Sequence, residues 1–307
     1  MNTAYITHPM CLKHDNGPEH PESPVRIHAI EDQLIACRLF DYLSHYEAPL
    51  ATRSQLLRVH DSAYCDELHK SIPIEGLVHL DNDITLNQYS YEAALYAAGS
   101  VIKAVDLVIS GEINNAFCNI RPPGHHAERS HGMGFSLFNN IAVGAAHALE
   151  HHQLERVAIL DFDVHHGNGT ENIFHEDSRV LFCSSFQHPL YPYCGSDTVN
   201  SHIINVPLAA GTSGEEFREA ITKAWLPALH NFQPQMIFIS AGFDGHREDD
   251  MARLELREAD FAWVTNFAKE IAEKYASGRI VSALEGGYAP SALGRSVLAH
   301  IKVLTGL

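Results

Sequence analysis

Seven short apolar runs rich in β-branched residues recur along the chain with longer stretches of helical period between them, and this alternation limits the fold more than any other feature. The runs are AYIT (4–7), AFCNI (116–120), RVAILDFD (156–163), RVLFCS (179–184), HIINVPL (202–208), MIFISAG (236–242) and RIVSALEGG (279–287). Near-continuous apolar character over so short a span is what a strand buried on both faces requires. Between them, Tyr91, Ala94, Leu95, Ala98, Val101, Ile102, Val105, Val108 and Ile109 recur at the i, i+3, i+4, i+7 spacing of an amphipathic helix. Further helices are predicted near 24–40, 139–151, 214–230, 258–275 and 290–304. Strand alternating with helix predicts an α/β fold with a central, mainly parallel sheet covered by helices on both faces. No Ser/Gly/Pro-rich linker or repeat interrupts the pattern, which predicts a single domain over 1–307.

Charge and cysteine usage narrow the function. With 21 Lys+Arg against 38 Asp+Glu, the formal charge is −17. Such a field repels phosphate backbones and leaves no counterion release to drive binding, so nucleic acid is not an expected ligand. The same field favours cationic substrates such as basic peptides or amines, although an acidic surface also serves solubility alone. The six cysteines form no CxxC pair, which fits a reducing compartment. The N-terminus lacks the basic start and apolar core of a signal peptide, and no window reaches the roughly 18 apolar residues of a membrane span. A cytoplasmic protein without membrane attachment is expected.

In open parallel sheets, ligands bind beyond the carboxyl ends of the strands. Four such ends carry unusual residues. DFDVHHGNG follows RVAIL and presents Asp161, Asp163, His165 and His166; on an extended strand residues two apart share a face, so Asp163 and His165 are expected to converge on one ion. A carboxylate and an imidazole suit zinc. AGFDGH supplies a third ligand, Asp244, at another strand end. Each Asp read alone is as well explained as a cap on the following turn; two at neighbouring strand ends favour metal.

RPPGHHA presents His125 and His126 after a loop stiffened by Pro122 and Pro123. Among 22 histidines a doublet can arise by chance, and His151/His152, on a predicted helix, reads as exposed. What distinguishes His125 and His126 is the strand-end position. Facing a metal, one could take a proton from water and the other stay charged or serve the leaving amine, with Asp161 and Asn168 available as their partners. Tyr288, after two glycines that would let its loop swing, could donate to a developing oxyanion; otherwise it is a half-buried Tyr at the sheet edge.

Together these residues resemble the histone deacetylase family, which includes acetylpolyamine amidohydrolases and has an arginase-like, three-layer α/β fold. The resemblance runs through HPESPVR (20–26), LDNDIT (80–85), RPPGHHA (121–127), GFSLFNN (134–140), DFDVHHGNGT (161–170), AGFDGH (241–246) and LEGGY (284–288). It implies Asp163, His165 and Asp244 as zinc ligands, His125 and His126 as tandem catalytic histidines, Asp161 as the partner of His125, and Tyr288 as the transition-state tyrosine. Asn168 stands at the partner position of His126, as in class II members, where class I members have Asp. An Asn carries no charge, so His126 is the better neutral base.

The resemblance also implies that Phe135 and Tyr191 sandwich an acyl-lysine stem, with the Gly134 carbonyl lining the same tunnel. It implies potassium near the zinc, through backbone carbonyls of Asp161, Asp163 and His165 and through Ser184, with a second potassium loop at Phe174 and Val180. Met251 stands where polyamine-specific relatives carry an acid, which favours acyl-lysine proteins or peptides over small acylated amines such as acetylpolyamines. Asp250 replaces a Pro common in relatives and is expected to loosen the rim loop. The rival readings are arginase-like ureohydrolysis, which needs more carboxylates than Asp163 and Asp244, and a non-catalytic acyl-lysine binding module.

Overall fold

The computed structural model describes residues 2–80 and 83–307; Asp81 and Asn82 of the LDNDIT segment lie outside the described residues. Eight parallel strands form the central sheet in the order β2-β1-β5-β10-β9-β6-β7-β8. They are β1 (Thr3–Thr7), β2 (Ser44–Glu47), β5 (Asn115–Cys118), β6 (Val157–Asp161), β7 (Val180–Gln187), β8 (Ile203–Leu208), β9 (Ile237–Ala241) and β10 (Ile280–Leu284). A separate antiparallel pair joins β3 (Val78–His79) to β4 (Thr85–Leu86).

Alternation along the strands feeds two cores. Ala4, Ile6, Val157 and Ile159 enter the core under α4 (Ser90–Ile109) and α5 (Asn140–Glu150), while Tyr5, Ala158 and Leu160 enter the core under α1 (Val25–Ala36), α7 (Gly214–Phe232), α8 (Glu258–Tyr275) and α9 (Pro290–Thr305). Side chains at i and i+1 point to opposite faces of a strand, so a strand covered on both sides is apolar at most positions. The remaining helices are short: α2 (Arg53–Leu56), α3 (Ser62–Lys70) and α6 (Asn168–Phe174).

All seven predicted strands are present, and the α/β fold is the one expected. The predicted helix at 24–40 ends earlier, at Ala36, because Arg38 takes a left-handed conformation (φ 57°) that lets Leu39 N–H return to the Leu34 carbonyl. Strand β2 escaped prediction because its sequence, SHYE, is an edge strand with one alternating face in solvent. Because every strand of the large sheet runs the same way, the loops after β5, β6, β9 and β10, neighbours in the sheet, open on one edge.

Candidate active site

Strand β6 ends at Asp161, and the chain leaves it in a bend, so the strand alternation expected to align Asp163 with His165 does not operate. Inward-turned backbone donors align them instead. Asp163 N–H donates to Asp161 Oδ1 at 3.1 Å, His165 N–H to Asp163 Oδ1 at 2.9 Å, and Val164 N–H to Asp244 Oδ1 at 3.0 Å. His165 Nδ1 consequently lies 3.1 Å from both Asp163 Oδ1 and Asp244 Oδ2. All three residues are buried, and their potential ligand atoms lie within 4.8 Å of one another.

Two buried carboxylates around one imidazole call for positive charge. Burial opposes a charged His165, yet the bonds and fields of Asp163 and Asp244 outweigh it and push the imidazole up to about 10. Burial and the neighbouring Asp163 raise Asp244 to about 6. The Asp163 carboxyl, despite burial, is held well below the usual range by His125 and His165. The β10 loop closes this group: Gly286 N–H donates to Asp163 Oδ2 at 2.7 Å, and a Cβ at Gly286 would collide with the Asp244 carboxylate. The loop expected to swing about Gly286 and Gly287 is therefore tied down, all the more because Arg26 Nε donates to the Gly287 carbonyl at 2.7 Å.

The two adjacent histidines have different partners. His125 Nδ1–H donates to Asp161 Oδ2 at 3.0 Å, and its Nε2 lies 3.8 Å from Asp163 Oδ2. Burial disfavours its charged form, but Asp163 and Asp161 prevail and push it up to about 10. His126 Nδ1 lies 2.7 Å from Asn168 Oδ1. Burial first, then the charges of His125 and His165, hold it well below the ordinary histidine value. With Nδ1–H given to the Asn168 carbonyl, Nε2 keeps its lone pair.

A cavity of about 260 Å³ opens over this group, lined by His126 and His165 below and by Gly134, Phe135, Tyr191 and Met251 along its walls, with Tyr288 also on its surface. Phe135 stands edge-on to Tyr288 with ring centres 6.1 Å apart, and Tyr191 stands edge-on to His126 at 5.3 Å. Gly134 adopts φ +54°, and a Cβ there would strike the His126 ring. Burial raises the Tyr288 phenol well above its usual value, so it remains a donor at neutral pH. Ser184, Phe174 and Val180 do not line this cavity. Ser184 pairs beside Asp161 in the sheet, Val180 opens β7, and the Phe174 carbonyl already accepts from Asp177 N–H at 3.0 Å and from His202 Nε2 at 3.1 Å.

Residues 20–304 match the histone deacetylase domain family. The chain belongs to the histone deacetylase family. It is 38% identical to a probable deacetylase of Archaeoglobus fulgidus over 299 residues, covering 94% of this chain and 82% of that protein. It is 36% identical over 329 residues to a histone deacetylase-like amidohydrolase of Pseudomonas aeruginosa, covering 99% of this chain and 86% of the relative. The HDA15 HD domain crystal structure superposes with a TM-score of 0.93 at 32% identity, covering 99% of this chain and 88% of that one.

In this histone deacetylase family member, several supporting residues had gone unnoticed in the sequence. Glu285 Oε2 accepts the N–H groups of Gly124 (2.7 Å) and His125 (3.1 Å), fixing the loop that carries the histidine pair. Asp249 Oδ2 accepts from Tyr288 N–H (2.6 Å) and Ala289 N–H (3.0 Å), and its Oδ1 accepts from Met251 N–H (3.1 Å). That carboxylate pins the rim loop that Asp250 was expected to loosen. Buried Glu22 pairs with Arg26 and Arg121, and the Arg26 guanidinium lies 4.9 Å from the centre of the Tyr288 ring. Glu22 and Arg26 both stand in HPESPVR, so that motif marked them, although no spacing rule assigned the job.

Proposed function

We propose that this family member hydrolyses the acyl amide of N-acetyl or other N-acyl lysine side chains, with zinc held by Asp163, His165 and Asp244. The donor set supports the metal: two buried carboxylates and an imidazole, with ligand atoms within 4.8 Å of one another, suit a borderline dication, and three protein ligands leave a position open. A zinc ion there would supply Lewis acidity, polarising a carbonyl oxygen and easing deprotonation of water.

The chain's own residues carry the remaining work. His126 Nε2 accepts the proton of the attacking water as the C–O bond forms, since Asn168 fixes its other nitrogen as the donor. His125, whose Nδ1–H donates to Asp161, is favoured in its charged form by that carboxylate and would keep the field around the developing oxyanion positive. Tyr288 donates its phenolic hydrogen bond to that oxyanion. When the C–N bond breaks, the proton on His126 passes to the leaving amine nitrogen, and the products are a carboxylate and a free amine. Phe135 and Tyr191 would flank the apolar stem of the substrate and keep water out.

The observation that carries this reading is the placing of two imidazoles with different partners, Asp161 for His125 and Asn168 for His126, and a phenol beside the Asp163–His165–Asp244 group. A binding module requires no such division between His125 and His126. Met251, apolar on the cavity wall, supports an aliphatic lysine stem over a polyamine with an internal ammonium. Turnover of acyl-lysine peptides of several acyl lengths, measured beside acetylated polyamines, tests the assignment. Faster turnover of acyl-lysine peptides is expected; a large preference for polyamines would replace it.

A further inference from the structure

Three imidazoles gather around one carboxylate at the far end of α5. His147 lies in the last turn of that helix, His151 caps it, His152 follows, and Asp106 reaches over from α4. Asp106 Oδ1 lies 2.8 Å from His147 Nε2 and 2.7 Å from His152 Nε2. The His151 ring stacks on His147 at 4.7 Å and stands edge-on to His152 at 4.8 Å. The doublet expected to be an exposed feature of a helix surface is thus only partly so: His151 is exposed, but His152 is half-buried against Asp106.

We propose that Asp106, His147, His151 and His152 form a second metal site, for a divalent transition ion of the zinc class. Each of the four offers a ligand atom, and these atoms lie within 4.8 Å of one another. Tetrahedral ligands at zinc stand roughly 3.4 Å apart, so closure draws the four side chains together by rotation of their rings and carboxylate. Three imidazoles and one carboxylate select zinc, copper or nickel over calcium or magnesium. The carboxyl end of α5 and the overall charge of −17 both favour a cation here. Buried His147 gives the site a fixed wall, and exposed His151 gives it an entrance.

The site is separate from the active centre. The N-cap of α5, Asn139, bonds the Ala127 carbonyl next to His126, and the 11 residues of α5 carry the chain about 16 Å away from it. One contact competes with metal. Arg58 donates to His147 Nδ1 at 2.8 Å, which places the imidazole proton on Nε2, where it is shared with Asp106. Metal at Nε2 requires that proton to move to Nδ1 and Arg58 to withdraw. Arg58 borders a surface cavity of about 580 Å³ that also holds Glu176, a carboxylate towards which it can turn; Glu150 and Asp177 there already pair with Arg179.

The test is a zinc titration of the metal-stripped full chain, with bound zinc counted by mass spectrometry after desalting. Two equivalents per chain are expected for the wild type. His151→Ala/His152→Ala should weaken the second equivalent at least about 100-fold while leaving the first and the turnover unchanged, since losing two ligands costs more than losing a supporting contact. Arg58→Ala should tighten the second equivalent. A single equivalent in the wild type, or a second equivalent indifferent to His151→Ala/His152→Ala, would overturn the proposal.

Discussion

The Asn168 amide nitrogen donates to Glu128 Oε1 at 2.8 Å, and this bond turns the Asn168 carbonyl toward His126 Nδ1. An amide can present either end, so Glu128 decides which nitrogen of His126 carries the proton. Glu128→Ala should let the amide rotate and lower kcat by about 10- to 100-fold with little change in KM, the usual cost of removing an orienting partner. Steady-state kinetics check this; an unchanged kcat would free Glu128 of the role.

Replacing Asn168 by Asp tests the same arrangement through pH. His126 is held well below its ordinary value by burial and by the neighbouring imidazoles, and it must be unprotonated to accept from water. A carboxylate at 168 would favour the imidazolium and raise that value, so the acid limb of kcat/KM should move to higher pH. A limb that stays in place, or moves to lower pH, would show that His126 is not the base.

Glu285 separates charge from hydrogen bonding. Burial pushes its carboxyl up to about 7, and its work in the fold is to accept from Gly124, His125 and Ser240. Glu285→Gln can keep those bonds through its carbonyl and a rotated Ser240 hydroxyl, and should fall within about 10-fold of wild-type kcat. Glu285→Ala strands two buried N–H groups and should cost about 1–3 kcal/mol for each, read from denaturant unfolding.

Tyr288→Phe removes one oxyanion donor. Turnover should fall about 100- to 1,000-fold while the affinity for acyl-lysine is preserved. Binding measured by calorimetry beside kcat distinguishes this outcome from a collapsed pocket, in which both would fail.

Three buried histidines outside the active site govern acid stability. Burial lowers His14 to about 4, His60 to about 4 and His300 to about 3. In the unfolded chain they titrate near 6.5, so between roughly pH 6.5 and 4 the unfolded state binds more protons and stability rises with pH. Their contribution is complete above about pH 6.5 and is lost as pH falls through about 4. Glu22, which burial would raise but Arg121 draws down to about 2, adds a further loss below its unfolded value. Thermal unfolding followed from neutral pH downward should show a falling Tm; a flat profile over that range would contradict the assignment.

Much of this was legible in the sequence, for identifiable physical reasons. Six of the seven strands announced themselves because both faces of the sheet are covered there, which makes them mostly apolar; β8, at the edge opposite β2 and half-exposed, was legible from Ile203, Ile204 and Val206. Edge strand β2, half in solvent, carried no such signal. Asp163, His165 and Asp244 stand at strand ends and do lie together, but a bend with inward N–H groups aims them, not strand alternation, and backbone direction leaves no trace in side-chain spacing. Glu128 and Asp249 were missed because each acts on a loop distant in sequence. Glu285 was hidden within LEGGY behind its glycines and Tyr288. The doublet His151/His152 shows the same limit, since its link to Asp106 spans two helices.

Acyl-lysine turnover before and after removal of bound metal tests the central claim most directly. Chelated, desalted protein should lose turnover and recover it on addition of zinc, while Asp244→Ala should not recover under the same treatment. Undiminished turnover by the metal-free chain, or full recovery by Asp244→Ala, would contradict a zinc site built from Asp163, His165 and Asp244.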